Sequence, residues 1–331
     1  MEHTGSRGGG SGRLVKVFIV SDMEGVAGIV KWEQTDGTKE KRAYHEGREL
    51  YTEEINAAVR GARTAGATEI VVMDCHGAGG EWTFNSLIPD KLDRGCEYVV
   101  QNDWTEYTEL LEQGCDAALF VGMHAKAGTP DGVMSHTVSG QAWRELKFNG
   151  VSVGETGINA ALCGQWGCPV LLVTGDDAVC REAKELLGDG LTTVSVKRGL
   201  GRFSARQVPP LRAREMIEDG TRRALRDPSA VKPYDPGRPS EITIEFTTPD
   251  RLVEYRNRRG TEQVDDQTLV SKADDCGRRG RSSTSRSKLV TKAYRCLAPV
   301  RVSRSQPLID EVAIERNRPA GVDVEERQEF A

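Results

Sequence analysis

No stretch of this 331-residue sequence supplies the roughly 18 consecutive apolar residues that a membrane-spanning helix requires. The opening MEHTGSRGGGSG has no apolar centre of the kind a signal peptide carries, and its Gly/Ser content reads as a flexible leader over residues 1–13. Net charge is only −5 and is spread along most of the chain, so no bulk electrostatic argument favours a nucleic-acid partner. Eight cysteines are present, but none forms a CxxC pair or a regular framework, and several sit inside apolar runs where a reduced thiol behaves as a small hydrophobe. No internal repeat occurs at a fixed period. The run GAGG at 77–80 lacks the GxGxxG spacing of a dinucleotide site. These absences lead to the expectation of a cytoplasmic protein without membrane or nucleic-acid partners. Histidine is scarce as well, with five in the whole chain, so the places where it does occur are informative.

What is present begins with LVKVFIVSDMEGVAG, residues 14–28. Leu14 to Val20 reads as a buried strand, and it ends in two carboxylates, Asp22 and Glu24. Residues two apart on an extended segment point the same way. Two like charges on one side of a strand end repel, and a cation between them removes the repulsion. Ile29 to Arg42 is polar, reads as a loop, and follows closely enough to cover them. A helix is expected from Tyr44 to Ala65, stopped at Gly66, followed by a strand at Glu69–Met73 that runs into Asp74-Cys75-His76-Gly77. A further strand, Ala117–Val121, runs into Gly122-Met123-His124. Trp143 to Val153 has the pattern of a hairpin turning at Asn149-Gly150. A helix opens at Gly154-Glu155-Thr156, and a strand at Pro169–Val173 ends before Asp176-Asp177.

Apolar strands alternating with amphipathic helices predict an α/β fold, a mostly parallel sheet covered by helices. Ligands of such sheets bind beyond the carboxyl ends of the strands, and three strand ends here carry metal-capable side chains. We expect a metal-binding catalytic domain over 14–190 and a smaller C-terminal α+β lobe over 191–275. The basic, Ser-rich stretch from Cys276 and the acidic end that follows, 276–331, read as a divergent, disordered tail.

Imidazole with carboxylate suits zinc or a similar first-row metal. Asp22, Glu24, His76, His124 and Glu155 together exceed what one catalytic zinc with an open position needs, and a pair of metals sharing a carboxylate accommodates them. Spacing does not say whether Asp22 or Glu24 is shared; Asp22, on the shorter stem, is the better-fixed of the two. Glu155 is a ligand if its helix begins facing the same crevice, although acidic residues favour the first helical turn in any case. His136, twelve residues past His124 and beyond a Gly/Pro loop, is at a separation that permits a supporting or catalytic position without requiring ligation, and a histidine so positioned can donate to an oxyanion or shuttle a proton. Asp176 and Asp177 are rival ligands, with a helix cap the simpler role. His45, at a helix start, reads as a surface residue.

SDMEG at 21–25, DCHG at 74–77, GMHA at 122–125, MSHT at 134–137 and GETGINA at 154–160 resemble, in order, the motifs of the zinc-dependent D-aminopeptidases of the DppA type. The resemblance implies that Asp22, Glu24, His76, His124 and Glu155 hold two Zn2+ per subunit with Asp22 bridging, and that His136 is catalytic. It also implies hydrolysis of an N-terminal D-residue from short peptides and a large ring-shaped homo-oligomer. Beyond residue 275 the family's closing apolar segment is replaced by CGRRGRSSTSRS, which is where the tail was set apart above. The residues alone also admit a dinuclear metal phosphoesterase, disfavoured by the lack of an arginine cluster beside the ligands. A metal-stabilised binding protein, with a closed coordination shell and no role for His136, is the non-enzymatic alternative.

Overall fold

The computed structural model describes residues 15–78, 83–101, 107–237, 240–256 and 260–273. Its elements run β1 (Lys16–Ser21), α1 (Lys41–Thr64), β2 (Glu69–Asp74), β3 (Glu97–Val99), α2 (Glu109–Glu112), β4 (Ala117–Met123), β5 (Trp143–Phe148), β6 (Val151–Ser152) and α3 (Glu155–Gln165). They continue with β7 (Val170–Asp176), α4 (Asp177–Leu187), β8 (Thr192–Gly201), β9 (Ser204–Gln207), α5 (Pro210–Ala224), β10 (Ser240–Phe246), α6 (Pro249–Val253), β11 (Glu262–Gln263) and β12 (Thr268–Ala273). No described helix is long and apolar enough to cross a membrane.

The apolar runs behave as their composition demands. Every residue of β4 and β7 is buried, as are the last five of β1 and of β2. Strands apolar on both faces belong inside a parallel sheet. They form a seven-stranded sheet of order β3-β2-β1-β4-β7-β8-β9, parallel except for β9 at the edge. Helices α1 and α5 pack together, as do α3 and α4, and each pair also packs on the strands. Right-handed crossovers running outward in both directions from β1 and β4 place such pairs on opposite faces. The α1–α5 crossing is close enough that a Cβ on Gly61 would lie 2.5 Å from the Glu218 carbonyl oxygen.

The second sheet is smaller and antiparallel, of order β11-β12-β10-β5-β6. Asn149 and Gly150, both at positive φ, turn β5 into β6 as the Asn-Gly pair leads one to expect. Trp143, Phe246 and Tyr255 pack against one another on this sheet. Residue 190 does not separate the two sheets. Strands β8 and β9 extend the large one, while β5 and β6, from before 190, join the small one. Chain order sets a lobe boundary by sequence distance, whereas strand pairing joins segments over 90 residues apart, such as Ile242 with Phe148. The leader and the tail expected over 1–13 and 276–331 lie outside the described residues.

Candidate metal centre

Strand order reverses between β1 and β4, because the chain builds outward through β2 and β3 on one side and through β7 and β8 on the other. A crevice opens at such a switch point, beyond the carboxyl ends of the strands. Asp22 leaves β1 and His124 leaves β4 at this place. The backbones there touch closely: the Asp22 and Gly25 amides donate to the carbonyls of Val121 and Gly122 at 2.9 and 2.8 Å. A Cβ on Gly25 would sit 1.9 Å from the Met123 oxygen, and one on Gly122, at φ +77°, 2.0 Å from the Asp22 oxygen. Only glycine permits that approach.

His76, His124 and Glu155 arrive from the ends of β2 and β4 and the first turn of α3. His76 Nδ1 lies 3.0 Å from Asp22 Oδ1 and 3.1 Å from Glu24 Oε2. His124 Nε2 lies 3.3 Å from Asp22 Oδ2 and 3.2 Å from Glu155 Oε1. His136 stacks on His124, with ring centroids 4.0 Å apart and planes 12° from parallel, and its Nε2 is 3.9 Å from Glu155 Oε1. Six of the candidate residues, Asp22, Glu24, His76, His124, His136 and Glu155, therefore meet in one place. Asp22, Glu24, His76 and His124 are buried there.

The histidine tautomers follow from their outer contacts. His76 Nε2 is 2.7 Å from the Thr35 carbonyl, His124 Nδ1 is 2.9 Å from that of Ala125, and His136 Nδ1 is 2.9 Å from that of Met134. A carbonyl only accepts, so each of those nitrogens carries the proton and the opposite nitrogen of the neutral ring presents a lone pair. For His76 and His124 the lone pair faces two carboxylates each. Lone pairs aimed at anions require either a second proton or a cation between them. A backbone carbonyl that fixes the outer nitrogen is the arrangement typical of metal-bound histidine. Glu24 Oε2 and His124 Nε2 are buried without any hydrogen-bond partner among the described residues. This donor set fits a divalent metal of the zinc type. Donor atoms of Asp22, Glu24 and His124 lie within 4.8 Å of one another, and so do those of His124, His136 and Glu155.

The electrostatics agree with the geometry. Burial opposes charge on His76, yet the Glu24 charge and the Asp22 carboxylate push its pKa well above the ordinary imidazole value. Burial and then Glu155 and Asp22 act the same way on His124. Asp22, despite burial that favours its acid form, is held well below the usual carboxylate range by the two histidines. Left to itself the site takes up positive charge. His136 differs: burial and the neighbouring His124 lower its pKa, so it stays neutral.

The other candidates lie elsewhere. Asp176 caps α4, with Oδ1 accepting from the Val179 amide at 2.8 Å and Oδ2 from the Val133 amide at 2.6 Å. Asp177 accepts from the Ser195 hydroxyl. His45 is exposed on α1, 3.7 Å from Glu49. Three supporting residues escaped sequence reasoning. Lys197, buried in β8, donates from Nζ to the carbonyls of Glu24, Val26 and Ile29 at 2.6, 2.8 and 2.7 Å, and so ties down the segment after Asp22. Glu54 of α1 accepts from the Ala27 amide at 2.9 Å. Asp74 accepts from the His76 amide at 3.1 Å and from the Tyr51 hydroxyl at 3.1 Å. Of these only Asp74, beside a motif histidine, had any signal in the sequence. The segment carrying His136 is held in strain, with Met134 at φ +53° and the β-branched Val138 at φ +60°. The Val138 amide donates to Glu155 Oε1 at 2.8 Å.

A parallel α/β sheet with clustered histidines and carboxylates at its switch point defines a metallohydrolase-type site. The sequence profile of peptidase family M55, described as D-aminopeptidase, matches residues 15–279. The chain belongs to that family, and is a metal-dependent aminopeptidase. A D-aminopeptidase of Bacillus subtilis (strain 168) is 35% identical over 234 residues, covering 70% of this chain and 81% of that protein. The fold is similar to a solved structure described as the Zn-dependent D-aminopeptidase DppA from Bacillus subtilis, a self-compartmentalizing protease. The TM-score is 0.74 at 31% identity, over 86% of this chain and 95% of that one.

Proposed function

We propose that the chain is a zinc-dependent D-aminopeptidase whose centre takes two zinc ions, with Asp22 shared between them. The observation that supports this reading is the division of the Asp22 carboxylate, one oxygen beside His76 and the other beside His124. Glu24 and His76 would then hold one ion, and His124 with Glu155 the other. Bound zinc would lower the pKa of a water and polarise the scissile carbonyl. The protein's own contribution lies in position and proton transfer. His136 Nδ1 is tied to the Met134 carbonyl, so Nε2 is the atom free to take a proton and return it to the leaving amine. Its neutral state suits that task. The described relative's self-compartmentalizing assembly supports a ring-shaped homo-oligomer enclosing the sites. The six described cysteines, all free thiols, suit the cytoplasm.

Metal analysis combined with hydrolysis of paired D- and L-alanyl dipeptides tests the proposal. About two zinc per chain with D-selective cleavage is the expected result. Hydrolysis of phosphate esters without peptide cleavage would move the reading to a phosphoesterase, and tight zinc without turnover to a binding protein. His136→Ala is expected to lower kcat by about 10²–10⁴-fold with metal content unchanged. Loss of metal from that variant would make His136 a ligand.

A further inference from the structure

The stack of rings that begins at the metal centre does not end at His136. Trp32 meets His136 edge-on with centroids 5.3 Å apart, and Phe203 meets Trp32 at 6.1 Å. The guanidinium of Arg202 lies over both, 5.9 Å from the Trp32 ring and 5.4 Å from the Phe203 ring. Rings on two sides orient a guanidinium without neutralising it. Among the described residues Arg202 has no carboxylate partner.

Its backbone is tied to the same place. The Arg202 carbonyl, at the tip of the β8–β9 hairpin, accepts from the Met134 amide at 2.7 Å, two residues before His136. Gly140 lies between the two side chains: a Cβ there would have Arg202 Nη2 at 3.4 Å and His136 Cβ at 3.5 Å. An exposed cation with no carboxylate partner among the described residues thus lies beside His136.

We propose that Arg202 is a specificity-determining residue that binds the C-terminal carboxylate of a short peptide whose first peptide bond lies at the metal centre. This rests on the aminopeptidase reading above. One extended residue spans about 3.3–3.6 Å, so the carboxylate of a di- or tripeptide lies within a few ångströms to about 7 Å of the scissile bond. Arg202 Nη2 and His136 Cβ lie 3.4 and 3.5 Å from one point on Gly140, which sets the two side chains apart on that scale. Two parallel N–H donors match a carboxylate in plane and charge, which an amide or a continuing chain does not offer. Longer peptides would carry their carboxylate past Arg202 and lose the interaction, so the residue measures length.

The test compares D-alanyl-D-alanine with D-alanyl-D-alaninamide, resolving kcat and KM for the wild type, Arg202→Ala and Arg202→Lys, with zinc content measured alongside. The wild type is expected to favour the free carboxylate by about 10- to 100-fold in kcat/KM, expressed in KM, as loss of a charged hydrogen-bonded pair implies. Arg202→Ala should remove the preference by raising KM for the acid alone, with the amide and zinc content unaffected, and Arg202→Lys should restore part of it. Equal turnover of acid and amide by the wild type would overturn the proposal while leaving the aminopeptidase reading standing. So would an Arg202→Ala loss shared by both substrates. A zinc-loaded wild type that cleaves neither would overturn the aminopeptidase reading and this proposal with it.

Discussion

Two strand ends of the large sheet carry a pair of acids, Asp22 with Glu24 after β1 and Asp176 with Asp177 after β7, and the two pairs do different work. Both oxygens of Asp176 are met by backbone amides. Asp22 accepts one amide, from Met23 at 2.8 Å, and otherwise faces two imidazoles. Glu24 Oε2 has no hydrogen-bond donor among the described residues. An acid whose lone pairs are filled by N–H groups is complete and serves the fold. One whose neighbours are lone pairs and other anions is complete only with a cation. The distinction therefore lies in the partners, since the acids themselves are alike.

Charge removal at the two sites should separate these roles most sharply. Asp22→Asn keeps the volume but removes the anion between the two histidines. It is expected to lower kcat/KM by at least about 10³-fold and to reduce bound zinc, read by metal analysis. Zinc and activity at wild-type levels would mean that Asp22 is no more a ligand than Asp176.

Lys197 supports the first acid pair and has no counterpart at the second. Lys197→Met leaves three loop carbonyls without their ammonium. A stability loss of about 2–4 kcal/mol is expected in denaturant titration. Displacement of Glu24 should also cost about 10- to 100-fold in activity. Full activity would show that the segment after Asp22 holds its shape unaided.

A smaller effect, confined to stability, is expected at the second pair. Asp176→Asn turns one acceptor into a donor facing an amide and should cost about 1–3 kcal/mol. Zinc content per folded chain should be unaltered; a loss of zinc would collapse the contrast between the pairs.

An effect of similar size, confined to a pH window, is expected away from both pairs. Burial raises the Glu54 pKa to about 7, partly offset by the Ala27 amide. The folded state therefore holds this proton more tightly than the unfolded chain does. The stability so gained is fully present below the unfolded value of 4.5 and is lost as pH rises to about 7. Glu54→Gln keeps an acceptor for the Ala27 amide without the titration. Its stability relative to wild type should rise between those pH values and level off about 1–3 kcal/mol higher. A pH-independent difference would show that Glu54 does not titrate in this window.

The sheet and the shared location of Asp22, His76 and His124 were legible in the sequence for related reasons. Unbroken apolar runs identify buried parallel strands, and parallel strands bring their carboxyl ends to one edge, so Asp22, His76 and His124 could be placed together without coordinates. Glu155 stayed ambiguous because a first-turn acid satisfies a helix equally well; its contact with His124 came from the way α3 approaches the crevice. The lobe division at 190 followed chain order, and strand pairing across it could not be read from local pattern. Lys197 gave no sign. Within TTVSVKRGLG it is one lysine in a strand, and its role depends on three carbonyls about 170 residues earlier.

The sequence by itself determined which chemistry is available and at which strand ends, because strand periodicity and residue type are local properties. Only the tertiary structure decided how that chemistry is poised. It set the tautomer of each histidine through the carbonyls of Thr35, Ala125 and Met134, and divided the Asp22 carboxylate between two imidazoles. It also filled the oxygens of Asp176 and brought Arg202 over Trp32 beside His136. Each of these depends on the direction of a lone pair or an N–H across a contact. Directions of that kind are fixed by how the elements pack, which the order of the residues does not display.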